Sequence, residues 1–390
     1  MAAADEEIAS RLVARPVCAI LLEVFIRMAK RIDSTPRKDG FRMPGEFEPQ
    51  KQIWMLWPER QDNWRNGAKP AQKTFVNVAA AISQFEPVTV CVSKEQYANA
   101  RNKLPRDIRV VEMASNDAWI RDCGPTFLVN DKGDVRAVDW DFNAWGGLVD
   151  GLYFPWDMDD MVAQKVCEIE NVDSYRTPGF VLEGGSFHVD GEGTLITTEM
   201  CLLSEGRNPH MTKSEIEEQL KEYLNLEKII WLKDGIDPEE TNGHIDDVAC
   251  FIRPGEVGCI WTDDPENQFY SAAHSAYETL CAATDAKGRK LKVHKLCLPK
   301  NYVTIQADFD IDYVEGTLPR EEGEISIASY MNFLIVNGGV IVPQYGDEND
   351  ALALQTIQEW FPERKAVGVR TEEVAYGGGN IHCITQQQCK

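Results

Sequence analysis

The sequence holds no cysteine pair at C-x-x-C spacing and no H-E-x-x-H segment; its 11 cysteines are scattered from Cys18 to Cys389. Neither a zinc knuckle nor a disulfide framework is indicated, and a reducing compartment, the cytoplasm, is expected. Basic charge is scarce: 40 Lys and Arg stand against 63 Asp and Glu, a net charge of −23. That balance disfavours nucleic acid or anionic membrane as a partner and favours small cations. The apolar run near the N-terminus, AILLEVFI (Ala19 to Ile26), is interrupted by Glu23 and preceded by Asp5, Glu6 and Glu7. It is too short to span a bilayer and lacks the basic start and small-residue cleavage site of a secretory signal. Met28 then opens MAKRIDSTPRKDGFRMPGEF, which reads as a natural start. Residues 1–27 are therefore expected to be an extension outside the fold, and 28–390 one catalytic domain.

What the chain does hold is a repeated pattern. With 43% apolar residues and 10 tryptophans it reads as globular and well packed. Four segments look like hairpins of two apolar strands about a glycine turn: CGPTFLVNDKGDVRAVDW, GGSFHVDGEGTLITTE, HIDDVACFIRPGEVGCIWT and YMNFLIVNGGVIVPQYG. Each is followed by a helical pattern and a strand: WDMDDMVAQKVCEIE with VDSYR, MTKSEIEEQLKEYLN with EKIIWL, FYSAAHSAYETLCAA with KLKVHKLCL, and ALALQTIQEWF with KAVGVR. PAQKTFVNVAAAISQF with PVTVCVS is a fifth such pair. Pairing of NIHCIT with the early strand QIWMLW would close the ring end to end and hide its edges. Asp122, Glu183 and His244 each stand at or just before a first hairpin strand, and both separations are 61 residues. A repeat of that length fits one ββαβ unit and brings one polar residue from the same corner of successive units to a shared axis. Cys383 takes the matching corner of the last unit. The fold class expected is α/β, a five-bladed pseudo-symmetric α/β propeller of ββαβ units around a central active site. The competing reading is a generic α/β protein whose hairpins recur by chance.

Three glycines precede Cys383 in YGGGNIHCIT, Tyr376 to Thr385. Glycine loses the most backbone freedom on ordering and adds nothing to packing, so the run suits backbone lying close to a ligand. A flexible turn before a buried cysteine is the plain alternative. A cysteine nucleophile needs a thiolate and a proton-transfer partner, which Cys383 and His244 could supply. The carboxylates Asp122, Glu183 and Asp246 exceed what a thiol protease uses to orient its histidine. They suit a guanidinium, whose planar forked donors carboxylates grip bidentately. Each has an ordinary competitor. Asp122 in WIRDCGP could cap a turn or pair with Arg121, and Glu183 in LEGGSF could be a solvated strand end. His244 and Asp246 in TNGHIDD could belong to a metal site, although no ligand spacing accompanies them. His382 would point to the opposite face of a strand from Cys383 and is read as structural.

The segments WPERQDNWR, NDAWIRDCGP, FNAWGG, LEGGSFHVDGEGT, EETNGHIDD, ASYMNFLI and GGGNIHCIT resemble those of agmatine deiminases, within the guanidine-modifying superfamily of five-bladed α/β propellers. The resemblance runs from about Met28 to the C-terminus. It implies hydrolysis of agmatine to N-carbamoylputrescine and ammonia, with no metal or organic cofactor. It makes Cys383 the nucleophile that becomes an amidino-thioether and His244 the general acid/base. Asp122 and Asp246 grip the guanidinium, and Glu183 holds the histidine in place. Glu240 in EETNGH becomes the candidate for the distal ammonium, and Trp119 packs over the aliphatic chain with a cation–π attraction. The expected partner is a cationic small molecule, with neither nucleic acid nor membrane; homo-oligomerisation stays open. One rival is deimination of arginine or peptidyl-arginine, which wants an arginine or lysine near the mouth that no motif supplies. Others are a metal-dependent amidohydrolase using His244, Asp246 and Glu183, and a catalytically silent propeller that binds polyamines.

Overall fold

A computed structural model describes residues 28–390 apart from 238, 307–308, 316 and 318–319. The extension expected at 1–27 lies outside the described residues. Five helices, Lys69–Ile82, Val162–Glu170, Lys213–Leu224, Tyr270–Ala282 and Asp350–Trp360, each join two parallel neighbouring strands of one sheet. In four units an antiparallel strand precedes the pair: Thr126–Asn130, Phe187–Val189, Ala249–Arg253 and Leu334–Val336. The fifth unit takes that strand from the far end of the chain, where Gln386–Cys389 runs antiparallel to Gln50–Leu56 with Gln386 opposite Trp54. The outcome is a mixed α/β fold of three- and four-stranded sheets in which the ββαβ order recurs.

Local chemistry explains the elements. Lys213–Leu224 starts in a capping box, Thr212 accepting from Glu215 N–H while the Glu215 carboxylate accepts from Thr212 N–H, and it ends at Asn225 in the left-handed region. Its buried Ile216, Leu220 and Leu224 recur every four residues, which fixes the face turned to the core. Val88–Val92 is buried at every position, as an apolar strand between two parallel neighbours should be. The elements not anticipated include helix Tyr97–Lys103 and strand Arg109–Glu112, the latter pairing with Val88–Val92.

The end-to-end strand pairing falls later in the chain than expected. NIHCIT is a helical turn rather than a strand, and the pairing passes to QQQC. Local side chains favour the turn: Asn380 Oδ1 accepts Ile381 N–H at 3.0 Å, and Thr385 Oγ1 donates to Ile381 O at 2.7 Å. The glutamine strand survives burial because its amides are satisfied. Gln388 Oε1 accepts from Gln52 Nε2 at 2.7 Å and Trp54 Nε1 at 3.1 Å, and Gln387 Oε1 accepts from Arg121 at 2.6 Å. Among the described residues no helix is long and apolar enough to cross a membrane.

Candidate active site

Four short turns carry the expected residues. Asp122 lies in Ile120–Cys123, Glu183 directly before Gly184–Ser186, and His244 directly before Ile245–Asp247, which contains Asp246; Cys383 lies in the turn at 381–384. None of the five is more than 5% exposed. Three of them converge on Gly185. A methyl group there would fall 2.5 Å from His244 Nδ1, 2.9 Å from Asp122 Oδ1 and 3.0 Å from Asp246 Oδ2, so only glycine leaves their meeting point open. The glycines before Cys383 act similarly. Gly378 has φ of 101°, and a methyl on Gly379 would lie 2.7 Å from the Trp119 ring and 3.1 Å from Cys383 Sγ.

The Cys383 thiol donates to Asp246 Oδ2 at 3.6 Å and accepts from Asn332 Nδ2 at 3.2 Å. Asn332 Oδ1 also accepts His382 N–H at 2.9 Å, which pins the turn. Asp122 Oδ1 accepts Gly185 N–H and Oδ2 accepts Trp145 Nε1–H, both at 2.9 Å. Trp145 sits in the left-handed region at φ 64°, a conformation that aims its indole at the acid. His244 stands between two carboxylates, Nδ1 3.9 Å from Asp122 and Nε2 3.8 Å from Glu183. Glu183 forms a buried ion pair with Arg207 at 2.7 Å.

These neighbours set the charges. Burial works against charge on His244, but Asp122 foremost, with Cys201 and Glu183, raises its pKa well above the usual value. That direction favours its acid form. Burial likewise opposes charge on Glu183, yet Arg207 and His244 keep it below the usual range. Asp122 is pushed up by burial, with Asp246 and Glu183 adding to the rise. Burial, then Asp246, Asp247 and Asp122, drives the Cys383 thiol well above 9.0. A raised thiol pKa means the thiolate appears only as pH climbs past that value. Alkylation of ligand-free protein by neutral iodoacetamide should therefore be slow at neutral pH and still accelerating above pH 9.0; a plateau below pH 8 would show a preformed thiolate.

The site opens into a cleft with Trp119, Trp145 and Tyr153 on its walls. Trp119 stacks on Trp64 at 5.2 Å, and Asp117 accepts both indole N–H groups. Glu240 also lines the cleft, but as a shared carboxylate: Arg320 spans both its oxygens and also donates to Gly377 O at 2.7 Å. Arg60 is a second cation at the mouth, paired with Asp62 at 2.8 Å and lying 4.1 Å over the Tyr153 ring. The expectation that no motif supplies an arginine there is thus corrected by Arg60 of WPERQDNWR, though both arginines are matched by acids. His382 is corrected too: its ring is bonded to Asp246 at 2.9 Å, since a helical turn does not alternate faces as a strand does.

Two clusters bring three donor groups within 4.8 Å of one another, Glu183–Cys201–His244 and Glu46–His188–His382. In each the acid is already spoken for by a base, Arg207 in the first and His382 in the second, the pattern of buried ion pairs. The sequence reading missed Asn332, Arg207, Trp145 and Arg320. Asn332 and Trp145 lie inside the segments ASYMNFLI and FNAWGG, and Arg207 and Arg320 lie outside every segment that carries the resemblance.

Residues 42–389 match the Porphyromonas-type peptidyl-arginine deiminase family. The chain is 71% identical over 364 residues to a protein of Lactococcus lactis subsp. lactis (strain IL1403), covering 93% of this chain and 100% of that one. It is 58% identical over 357 residues to the agmatine deiminase of Pseudomonas aeruginosa (strain LESB58), 91% of this chain and 97% of the relative. The solved agmatine deiminase of Enterococcus faecalis superimposes with a TM-score of 0.92 at 69% identity, covering 93% of this chain and 100% of that one. At this identity over nearly the whole length, the chain belongs to the Porphyromonas-type peptidyl-arginine deiminase family, alongside the proteins named agmatine deiminases.

Proposed function

We propose that this chain is a cytoplasmic agmatine deiminase, a hydrolase that converts agmatine and water to N-carbamoylputrescine and ammonia. In this reading residues 28–390 act as one catalytic domain whose five ββαβ units are blades around the site. The observation that carries the proposal is Asp246. Its Oδ2 is 3.6 Å from the Cys383 thiol, and its Oδ1, fully buried, has no hydrogen-bond partner. A buried carboxylate oxygen left open beside a nucleophile suits an incoming N–H cation.

The guanidinium enters with its plane held by Asp246 and Asp122 and its carbon facing Cys383 Sγ. Its positive charge offsets the acids that keep the thiol protonated, so the thiol ionises in the complex and its proton passes to solvent. Attack on a delocalised cation gives a neutral tetrahedral species, and no oxyanion needs stabilising. His244, resting as the imidazolium, protonates the departing nitrogen, which leaves as ammonia. The amidino-thioether remains. Neutral His244 then takes a proton from water, the hydroxide adds to the amidino carbon, and the C–S bond breaks as the new hydroxyl passes its proton to sulfur, releasing the ureido product and the thiol. Glu183, fixed by Arg207, holds His244 between the two half-reactions. Trp119 covers the aliphatic chain, and the distal ammonium reaches Glu240.

A product assay with agmatine, arginine and a blocked arginine side by side tests this reading: ammonia and N-carbamoylputrescine are expected from agmatine alone. Efficient turnover of free arginine would move the chain to the arginine branch. The Arg320–Glu240 pair sharpens the expectation for Glu240→Gln. That change removes the carboxylate and leaves Arg320 uncompensated, so it should repel the dication and welcome a carboxylate. A charged hydrogen bond of about 1.5–3 kcal/mol, at 1.4 kcal/mol per decade, corresponds to roughly 10- to 100-fold lower kcat/KM for agmatine. A guanidine without the distal amine should lose much less, and the arginine-to-agmatine ratio should rise. Equal losses for both guanidines would place Glu240 in support of the neighbouring histidine loop instead.

A further inference from the structure

His382 takes no part in the chemistry above, yet its ring is clamped on both sides. Nδ1 lies 2.9 Å from Asp246 Oδ2 and Nε2 2.9 Å from Glu46 Oε2, and none of the three residues is more than 4% exposed. A neutral imidazole has one N–H and one lone pair. Between two carboxylates it would set that lone pair against an oxygen lone pair, in a buried place where such a mismatch is costly. Glu46 behaves as an acceptor throughout. Its Oε1 takes Ile335 N–H at 2.7 Å, and its Oε2 also faces His188 Nε2 at 3.5 Å. His188 accepts Phe251 N–H on Nδ1 at 3.2 Å, which leaves its proton on Nε2, toward Glu46.

We propose that His382 is a positioning residue for the deimination: as an imidazolium shared between Asp246 and Glu46, it keeps Asp246 a carboxylate aimed at the guanidinium before substrate arrives. The proposal rests on the reading of Asp246 as a guanidinium acceptor. The proton equilibria run the same way. Burial opposes charge on all three groups, and Arg121 also opposes it on His382; mutual attraction prevails, holding Glu46 and Asp246 below their usual range and His382 above its own. Cys383, Arg121, Asp122, His244 and Asp247 also face Asp246. Deprived of the imidazolium, Asp246 would be a buried acid beside two others and would take up a proton as pH falls.

Agmatine binding by titration calorimetry, in Cys383→Ser and in Cys383→Ser with His382→Gln, tests this from about pH 6 to about pH 9. Binding needs the charged form of Asp246, so a raised pKa weakens it at the acid end. The double variant should bind at least tenfold more weakly near pH 6, recover toward pH 9, and release close to one extra proton on binding at the low end. Glu46→Gln, which preserves shape, should give a smaller deficit with the same pH trend. Losses independent of pH in both variants would make His382 a packing residue and overturn the proposal. Proton NMR of the unsubstituted protein supplies a direct reading. Two exchange-protected imidazole N–H signals, absent from His382→Gln, should persist above the ordinary histidine value of 6.5; a single signal there would overturn the proposal. If Cys383→Ser binds no agmatine at any pH, the functional reading falls, while the NMR signals still decide the state of His382.

Discussion

Cys383→Ser is expected to lower ammonia release from agmatine by about 10⁴-fold or more, the scale of loss when the nucleophile of a cooperating set is removed. The surroundings of Cys383 raise even a thiol well above its usual pKa, chiefly by burial and then by Asp246, Asp247 and Asp122. A serine hydroxyl, far less acidic to begin with, cannot ionise there even when the guanidinium arrives. The fold and the cation grip should survive, because a hydroxyl can still accept from Asn332 Nδ2 and donate to Asp246 Oδ2, as the thiol does. Calorimetry should find agmatine affinity within a few-fold of the unsubstituted protein. Quenched intact-protein mass should show a transient adduct with the unsubstituted protein and none with the variant. Sustained ammonia release by a clean preparation of Cys383→Ser would remove Cys383 from the chemistry.

How much of this was legible in the sequence depends on whether the deciding interaction is periodic. The helix–strand pairs were, since apolar spacing reports which face is buried; Ile216, Leu220 and Leu224 announce their helix from the sequence alone. The 61-residue spacing of Asp122, Glu183 and His244 also translated directly, because each repeat ends its return strand at the turn before the next hairpin. The closing strand did not. Gln386, Gln387 and Gln388 carry no apolar pattern, and only partners more than 200 positions away, Gln52, Trp54 and Arg121, make their burial tolerable. NIHCIT failed for the opposite reason: its alternating apolar residues have strand period, while Asn380 and Thr385 bond the local backbone into a turn. The Arg320–Glu240 pair spans 80 positions and the Glu46–His382 pair 336, with no pattern in between to suggest either.

Asp246→Asn should cost agmatine turnover the most after loss of the thiol. Removing one partner of a desolvated charge pair costs about 2–5 kcal/mol, or roughly 30- to 3,000-fold in kcat/KM at 1.4 kcal/mol per decade. The amide keeps one acceptor oxygen, so the substrate still enters, but the carbon no longer sits squarely over Sγ and kcat should fall more than KM rises. Asp122→Asn should differ in kind. In the proposed route Asp122 carries the wall of the cleft as well as the cation, since it accepts from Gly185 N–H and Trp145 Nε1–H on its two oxygens. An amide nitrogen turned toward either donor leaves a buried N–H unpaired, a penalty of about 1–3 kcal/mol, so the variant should melt lower as well as react more slowly. Parallel melting curves and kinetics of the two variants separate those roles; an Asp246→Asn protein with ordinary turnover would mean that the guanidinium is gripped elsewhere. Exhaustive chelation of the unsubstituted protein gives the decisive contrast, because Asp246, His244 and Glu183 are also the residues a metal-dependent amidohydrolase would have used. Activity should be unchanged by chelation, since the thiol route already engages all three. In the proposed route Asp246 grips the cation, His244 moves the protons, and Glu183, tied to Arg207 at 2.7 Å, holds the histidine. Activity that vanished with the chelator and returned with zinc or manganese would transfer the chemistry from the thiol to a metal-bound water.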